Sequence, residues 1–176
     1  MKPSILLTGK IPSSVVATLE SIGDLDQFRK DGVDVMPHDD LVARVAGKQA
    51  LVSMITDAVD WAVIEAGTDL KIIANAAVGF NNIDVSAARK RGIIVTNTPG
   101  VLTDATADLT WALIAGAGLD VFEQEPKVEP ELLTLENVLL IPHLGSGTVE
   151  TRTAMADLAA RNVAAVLSGE PAISPV

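Results

Sequence analysis

The chain reads as an α/β protein built on a doubly wound, parallel, five-stranded flavodoxin-like sheet, and three observations predict it. As far as about residue 100, short apolar runs of strand length alternate with stretches of helical spacing. Hydrophobic residues make up 48% of the chain but aromatic ones only 3%, which is the Val, Ile, Leu and Ala core that parallel strands covered on both faces require. Residues 71–95 hold two apolar runs joined through one helix, a βαβ unit.

Each element has its own local reason. Residues 4–8 make the first strand, which ends at Gly9. A helix over 11–22 follows, with Pro12 near its start, Val15, Val16, Leu19 and Ile22 on one face, and Gly23 past its end. Residues 24–29 are short and polar, as suits an edge strand. His38, Asp39 and Asp40 open a helix that runs through Ala46, and residues 50–56 (ALVSMIT) form a buried strand whose end, 53–57, faces a loop. One or two helical turns over 59–66 lead to a fourth strand at 71–77. Residues 78–82 carry turn chemistry, with Gly79 free to take backbone angles that other residues avoid. A helix over 83–91 stops at Gly92, residues 93–95 make the fifth strand, and Thr98-Pro99-Gly100 closes it. In such a unit ligands lie beyond the C-terminal ends of the strands.

Beyond residue 100 the alternation breaks. Residues 104–114 look like the start of a long helix, which Ala115-Gly116-Ala117-Gly118 stops abruptly. A strand, GLDVFE, follows at once, then an acidic turn over 123–130. Residues 138–141 are a strand ending at Pro142-His143, and 144–147 are a Gly-rich loop. A long amphipathic helix over 148–167 brings Met155, Leu158, Ala159, Asn162, Val163 and Val166 near one stripe, and the tail from Glu170 is short and Pro-rich.

Composition excludes several functions. A net charge of −10 with scattered basic residues argues against nucleic acid, since phosphate binding needs clustered Lys and Arg. Arg89-Lys90-Arg91 closes a helix and reads as a solvated helix end. Without Cys and with two His, neither a disulfide nor a zinc site is expected. No apolar run reaches membrane length and no signal peptide is visible, so a soluble, cytoplasmic chain is expected, with no membrane partner.

Few residues could carry chemistry. His143 follows a Pro at a predicted strand end and is either a proton donor or an ordinary loop histidine. His38, among acidic residues, reads as a surface group. Val78 and Gly79 present backbone N–H groups at a strand end, either as a site for a small carboxylate or phosphate or as a plain tight turn. Asp120 is either a strand-end ligand contact or a hydrogen-bonded structural group. Gly116-Ala117-Gly118 and Gly145-Ser146-Gly147 do not complete G-x-G-x-x-G, since Val121 and Glu150 hold the sixth positions.

Together, AAVGFNNIDVSAARKRGIIVTNTPGVLTDATADLTWAL, AGAGLDVFEQEP and NVLLIPHLGSGTVETR resemble the D-2-hydroxyacid dehydrogenase family, especially its glyoxylate and hydroxypyruvate reductase branch. The resemblance implies reduction of a 2-oxo acid by NADH or NADPH, with a substrate domain built from both chain ends and a Rossmann cofactor domain inserted between. By the same resemblance His143 matches the proton donor, Val78 and Gly79 the backbone groups that hold the substrate carboxylate, and Ser53, Met54 and Ile55 the loop lining the pocket. Thr103 and Asp120 match positions near the nicotinamide, and Gly145 and Ser146 the loop beside it.

The chain departs from the family between Ile114 and Gly118, where most of a cofactor domain, roughly 100–150 residues, is absent and the flanks are fused. With it go the G-x-G-x-x-G turn and two catalytic side chains, an Arg and a Glu. Glu150, Arg152 and Arg161 are no stand-ins, because they follow His143 on the last helix. The expected domains are residues 1–100 with 148–176 as the substrate domain, and 101–147 as a remnant of the cofactor domain. The leading expectation is an isolated substrate domain, inactive alone, that binds a small 2-oxo or 2-hydroxy acid weakly and no NAD(P) tightly. Its remnant strands offer edges for self-association. The alternatives are a working NAD(P)-dependent reductase and a non-catalytic scaffold module.

Overall fold

The computed structural model describes residues 2–28, 35–100, 117–120, 128, 130, 132–134, 138–141 and 148–176. The chain divides into two compact units, Met1–Pro99 with Thr153–Val176, and Gly100–Arg152. In the first unit, strands β1 (Ser4–Leu7), β2 (Asp24–Gln27), β3 (Ala50–Ser53), β4 (Ile72–Asn75) and β5 (Ile94–Thr96) form a five-stranded sheet in the order β2-β1-β3-β4-β5. Every pairing is parallel, with Leu6 beside Leu51 and Leu51 beside Ile73. This is the expected flavodoxin-like arrangement. Helices α1 (Ser13–Ile22), α2 (His38–Val45), α3 (Trp61–Ala66) and α4 (Val85–Lys90) connect the strands, and α5 (Val149–Leu167) is the long helix near the C-terminus.

The strands other than β2 are largely apolar runs because both faces are covered. On one face Leu6, Leu51, Ile73 and Val95 pack with Leu41, Val45, Val63, Ile64, Ala87 and Ala88 from α2, α3 and α4. On the other, Ile5, Leu7, Val52, Ile72 and Ala74 meet Val15 and Leu19 of α1 and Ala156, Ala159, Ala160 and Val163 of α5. Successive side chains of a strand alternate between these two cores. Each fully buried Leu or Ile contributes about 2 kcal/mol. The alanines of α5 let that helix lie close to the sheet, and Ala156 and Ala160 belong to its buried stripe alongside Met155, Ala159, Asn162 and Val163.

The polar edge strand β2 is tied to α2 by charge. Asp26 accepts from Arg44 and from Lys48 Nζ at 2.8 Å, and the Arg44 guanidinium lies 5.7 Å from the centre of the Phe28 ring. Burial alone would raise the Asp26 carboxyl, but the two cations win and hold it below its ordinary value. Glycine at 23 answers to space, since a Cβ there would stand 2.3 Å from the Pro3 carbonyl oxygen. Gly92, at φ 71°, ends α4 in the left-handed conformation expected of it.

Three local features go beyond the sequence reading. Gly79 is not in the left-handed region, and a Cβ there would meet only ordinary contacts. Arg89, Lys90 and Arg91 are exposed, as a solvated helix end should be, and Arg91 does more: its Nη1 donates to the carbonyls of Ile64 at 2.6 Å and Glu65 at 3.0 Å, capping the end of α3. The Pro-rich tail is not merely a tail. Pro175 pairs with Thr96 in an antiparallel bridge and the Val176 N–H donates to the Val95 carbonyl at 2.9 Å, so it lies along the β5 edge.

In the second unit, strand β6 (Ala117–Leu119) pairs in parallel with β7 (Val138–Leu140), and a 3-10 turn spans Leu132–Thr134. The helix expected over 104–114 lies outside the described residues.

Candidate functional site

The site is built where β3 and β4 end. Each buried run closes in a polar residue, Ser53 on β3 and Asn75 on β4, both fully buried. The Ser53 hydroxyl donates to Asn75 Oδ1 at 3.0 Å, and the Ala76 N–H continues the ladder to the Ser53 carbonyl at 2.8 Å. Asn75 Nδ2 then reaches forward to the Gly79 carbonyl at 2.8 Å and to Asn82 Oδ1 at 3.1 Å. From the β5 side, the Thr98 N–H holds the Ala77 carbonyl at 2.9 Å and Asn97 Nδ2 holds the Val78 carbonyl at 2.7 Å.

Three consecutive carbonyls, of Ala77, Val78 and Gly79, are therefore drawn toward the protein. A trans peptide points its N–H opposite to its C=O. Pinning those three oxygens aims the N–H groups of Val78, Gly79 and Phe80 the other way. Among the described residues, none of these three donors has an acceptor. Consecutive outward N–H groups are an anion-binding arrangement. The N-terminus of α4 adds nothing to it, because Asp84 already caps that helix by accepting from the Ala87 N–H at 2.8 Å.

The β3 loop forms the facing wall. Ile55 is 39% exposed, and its Cδ1 lies 3.6 Å from where a Cβ on Gly79 would stand. The loop is held from below by Asn82, whose Nδ2 donates to the carbonyls of Met54 at 3.1 Å and Asp57 at 3.0 Å. Asp57 is buried at the loop base, accepting from the Thr8 hydroxyl and from the Met54 N–H at 2.7 Å. Burial pushes its carboxyl above the ordinary value, against those two donors, which favour the ionised form. Val78 and Phe80 leave apolar side chains exposed beside the turn.

The structure thus brings together the predicted Met54, Ile55, Val78 and Gly79, with Ser53 buried beneath them. His143, Thr103, Gly145 and Ser146 lie outside the described residues. Asp120 follows β6 directly, half-buried and engaged with a partner. Sequence reasoning misses Asn75, Asn82 and Asn97, the amides that aim the loop. A signal for two of them is there, since KIIAN and IIVTN both end an apolar run in Asn.

Among the described residues no dinucleotide loop is complete. Two strand-to-helix turns among them carry a glycine. The turn after β1 is filled, because a Cβ on Gly9 would stand 2.7 Å from Met54 Cγ and the Gly9 carbonyl already accepts from Gln27 Nε2 at 3.3 Å. The turn after β4 has three donors, enough for a carboxylate, and lacks the glycine series of a pyrophosphate loop. Among the described residues no cluster of His, Asp or Glu could hold a metal ion, and no helix is long and apolar enough to cross a membrane.

Known proteins share this sequence and this fold. A glyoxylate reductase of Thermococcus litoralis is 42% identical over 125 residues, which are 71% of this chain and 37% of that protein. The chain thus spans little over a third of the length of the relative it matches there. A glyoxylate reductase of Pyrococcus furiosus is 26% identical over a 317-residue alignment that takes in 97% of this chain and 94% of that one. Since this chain has 176 residues, a long stretch inside that relative has no counterpart in it. Among solved structures, a protein of Thermus thermophilus superimposes with a TM-score of 0.89 at 23% identity, covering 98% of this chain and 99% of that one. The NADPH-dependent glyoxylate/hydroxypyruvate reductase of Sinorhizobium meliloti, solved with NADP and malonate, superimposes with a TM-score of 0.85 at 21% identity, covering 100% of this chain and 97% of that one. The family model for the D-isomer specific 2-hydroxyacid dehydrogenase catalytic domain matches residues 5–176. With a match from the first strand to the last residue, the chain belongs to the D-isomer specific 2-hydroxyacid dehydrogenase family.

Proposed function

We propose that this chain is the substrate-binding part of a D-2-hydroxyacid dehydrogenase, holding the carboxylate of a small 2-oxo or 2-hydroxy acid and performing no hydride transfer by itself. The observation that carries the reading is the set of three outward N–H groups at Val78, Gly79 and Phe80, produced by pinning the carbonyls before them. Ile55 and Val78 place partly exposed apolar side chains beside the turn, a setting that suits a short acid. Glyoxylate is the candidate ligand, because the similar archaeal proteins are glyoxylate reductases.

The inactivity follows from what the sequence lacks. It has no G-x-G-x-x-G turn to hold the nucleotide, and a proton donor such as His143 needs a hydride delivered to the same carbonyl carbon. NAD(P) is therefore bound weakly or not at all. The same reading puts self-association at the short β6–β7 sheet, where Leu139 is 57% exposed and, among the described residues, each strand pairs only with the other.

The test combines two measurements on the purified chain. An NMR titration with glyoxylate is expected to move the amide signals of Val78, Gly79 and Phe80 saturably at millimolar ligand. NADH or NADPH with glyoxylate is expected to show no loss of reduced nucleotide. Turnover at rates ordinary for a dehydrogenase would establish the other reading, a working reductase. Absence of any shift at residues 78–80 would remove the substrate site.

A further inference from the structure

The turn that presents the three N–H groups is connected to the C-terminal tail through side chains far apart in sequence. Asn162 on α5 is fully buried, and its amide is saturated by the tail and by its own helix. Asn162 Oδ1 accepts from the N–H groups of Ile173 at 2.9 Å and Ser174 at 3.1 Å, while Nδ2 donates to the Ser174 hydroxyl and the Leu158 carbonyl, each at 2.9 Å. The Ser174 hydroxyl in turn donates to the Asn97 carbonyl, and the Asn97 N–H donates to the Ser174 carbonyl at 3.2 Å. Asn97 therefore has its backbone clasped by the tail on both sides. Its side chain faces the other way along the chain of bonds, with Nδ2 on the Val78 carbonyl at 2.7 Å.

We infer that Asn97 is the positioning residue for the Val78–Gly79 peptide, and that Ser174 and Asn162 make the C-terminal tail a strap that holds Asn97 in place for that task. The bond to the Val78 carbonyl sets the direction of the Gly79 N–H, because the two belong to one planar peptide. Of the three pinned carbonyls, Ala77 is held by a backbone N–H and Gly79 by the buried Asn75. Val78 is held by Asn97, a half-buried side chain whose own place depends on residues 162 and 174. The strap thus acts on the central donor of the site without touching the ligand. This inference rests on the proposed carboxylate site, and its test separates the two.

The experiment uses the full chain with Asn97→Ala, Ser174→Ala and Ser174→Thr, and reads glyoxylate affinity, ¹⁵N relaxation at Val78 and Gly79, and thermal unfolding. Removing one hydrogen bond that orients a donor weakens binding about five- to tenfold. That loss is expected for Asn97→Ala, with a smaller loss for Ser174→Ala and recovery in Ser174→Thr, which keeps the hydroxyl. Increased mobility at Val78 and Gly79 is expected in Asn97→Ala and Ser174→Ala without ligand present. Unchanged affinity in both alanine variants, where the unaltered chain binds, overturns the inference and leaves the carboxylate site standing. If the unaltered chain binds no glyoxylate, the carboxylate reading fails, and relaxation alone decides: unchanged mobility in both alanine variants overturns the strap, and increased mobility upholds it. Equal losses in Ser174→Thr and Ser174→Ala would show that the hydroxyl is not the link and overturn it as well.

Discussion

Gly79→Ala separates the fold from the site more cleanly than any other single change. The backbone at Gly79 is outside the left-handed region, so alanine brings no torsional strain. Its Cβ would lie 3.5 Å from Asn81 Oδ1 and 3.6 Å from Ile55 Cδ1, both ordinary van der Waals separations. Replacing glycine at a compatible position stabilises a protein by about 0.4–1 kcal/mol, chiefly by reducing the freedom of the unfolded chain. For a domain of this size that corresponds to an unfolding temperature higher by roughly 1–4 °C. The ligand meets the opposite situation. The new methyl would stand beside the central N–H donor, in the gap that Ile55 faces. Forcing a methyl into a fitted site costs about 1–3 kcal/mol, which is a tenfold or greater loss of affinity over most of that range. Thermal unfolding followed by circular dichroism reads the first effect, and NMR titration with glyoxylate reads the second. A fall in unfolding temperature of more than about 5 °C would show that the turn is more tightly packed than this geometry allows. Undiminished glyoxylate binding would show that the carboxylate is held elsewhere.

Two further outcomes follow from the same structure. Gly23→Ala is expected to destabilise the chain by about 2 kcal/mol or more, because a Cβ there meets the Pro3 carbonyl oxygen at 2.3 Å and backbone cannot swing aside as a flexible side chain can, and chemical denaturation reads it. The pH dependence of stability has two opposed parts. Asp57 has a raised carboxyl, so its contribution is fully present below the unfolded-state value near 3.8 and is lost as pH rises through its higher folded value. Asp26, held low by Arg44 and Lys48 against its burial, contributes above 3.8 and loses that contribution as pH falls through its lower folded value. Asp57→Asn is therefore expected to flatten the decline of stability on the alkaline side of 3.8, and Asp26→Asn the decline on the acid side, in denaturation curves recorded across that range. An unaltered profile in either variant would contradict the corresponding assignment.

Much of the first unit is legible in the sequence because each of its signals is local. Burial on both faces makes every central strand a continuous apolar run, so ALVS and KIIAN announce themselves without knowledge of their neighbours. Gly92 ends its helix at positive φ as a short-range rule requires. The sequence makes the strand ends too long, since residues after Ser53 and Asn75 stay apolar while their backbone leaves the ladder for the site loops. Gly79 looks like a conformational glycine, because turn composition alone cannot tell a residue chosen for its φ from one that leaves room for a neighbour. The place of the Pro-rich tail along β5 is not legible, because Pro175 interrupts any strand pattern and its partner Thr96 lies far back in the chain.

By itself the sequence determined the parallel α/β architecture, the order of elements in the first unit and the family, since all of these rest on apolar periodicity and short motifs. Only the tertiary structure decided which groups meet at the ends of β3 and β4. Ser53 sits beneath the site rather than at its surface, Arg91 caps a helix other than its own, and the N–H groups of Val78, Gly79 and Phe80 point outward because Thr98, Asn97 and Asn75 hold the carbonyls before them. The physical reason is the range of the interactions. Hydrophobic periodicity is written within a dozen residues, whereas the bond from Ser174 to Asn97 joins positions 77 apart, and a hydrogen bond across that distance leaves no pattern in the chain until the sheet and the last helix have packed.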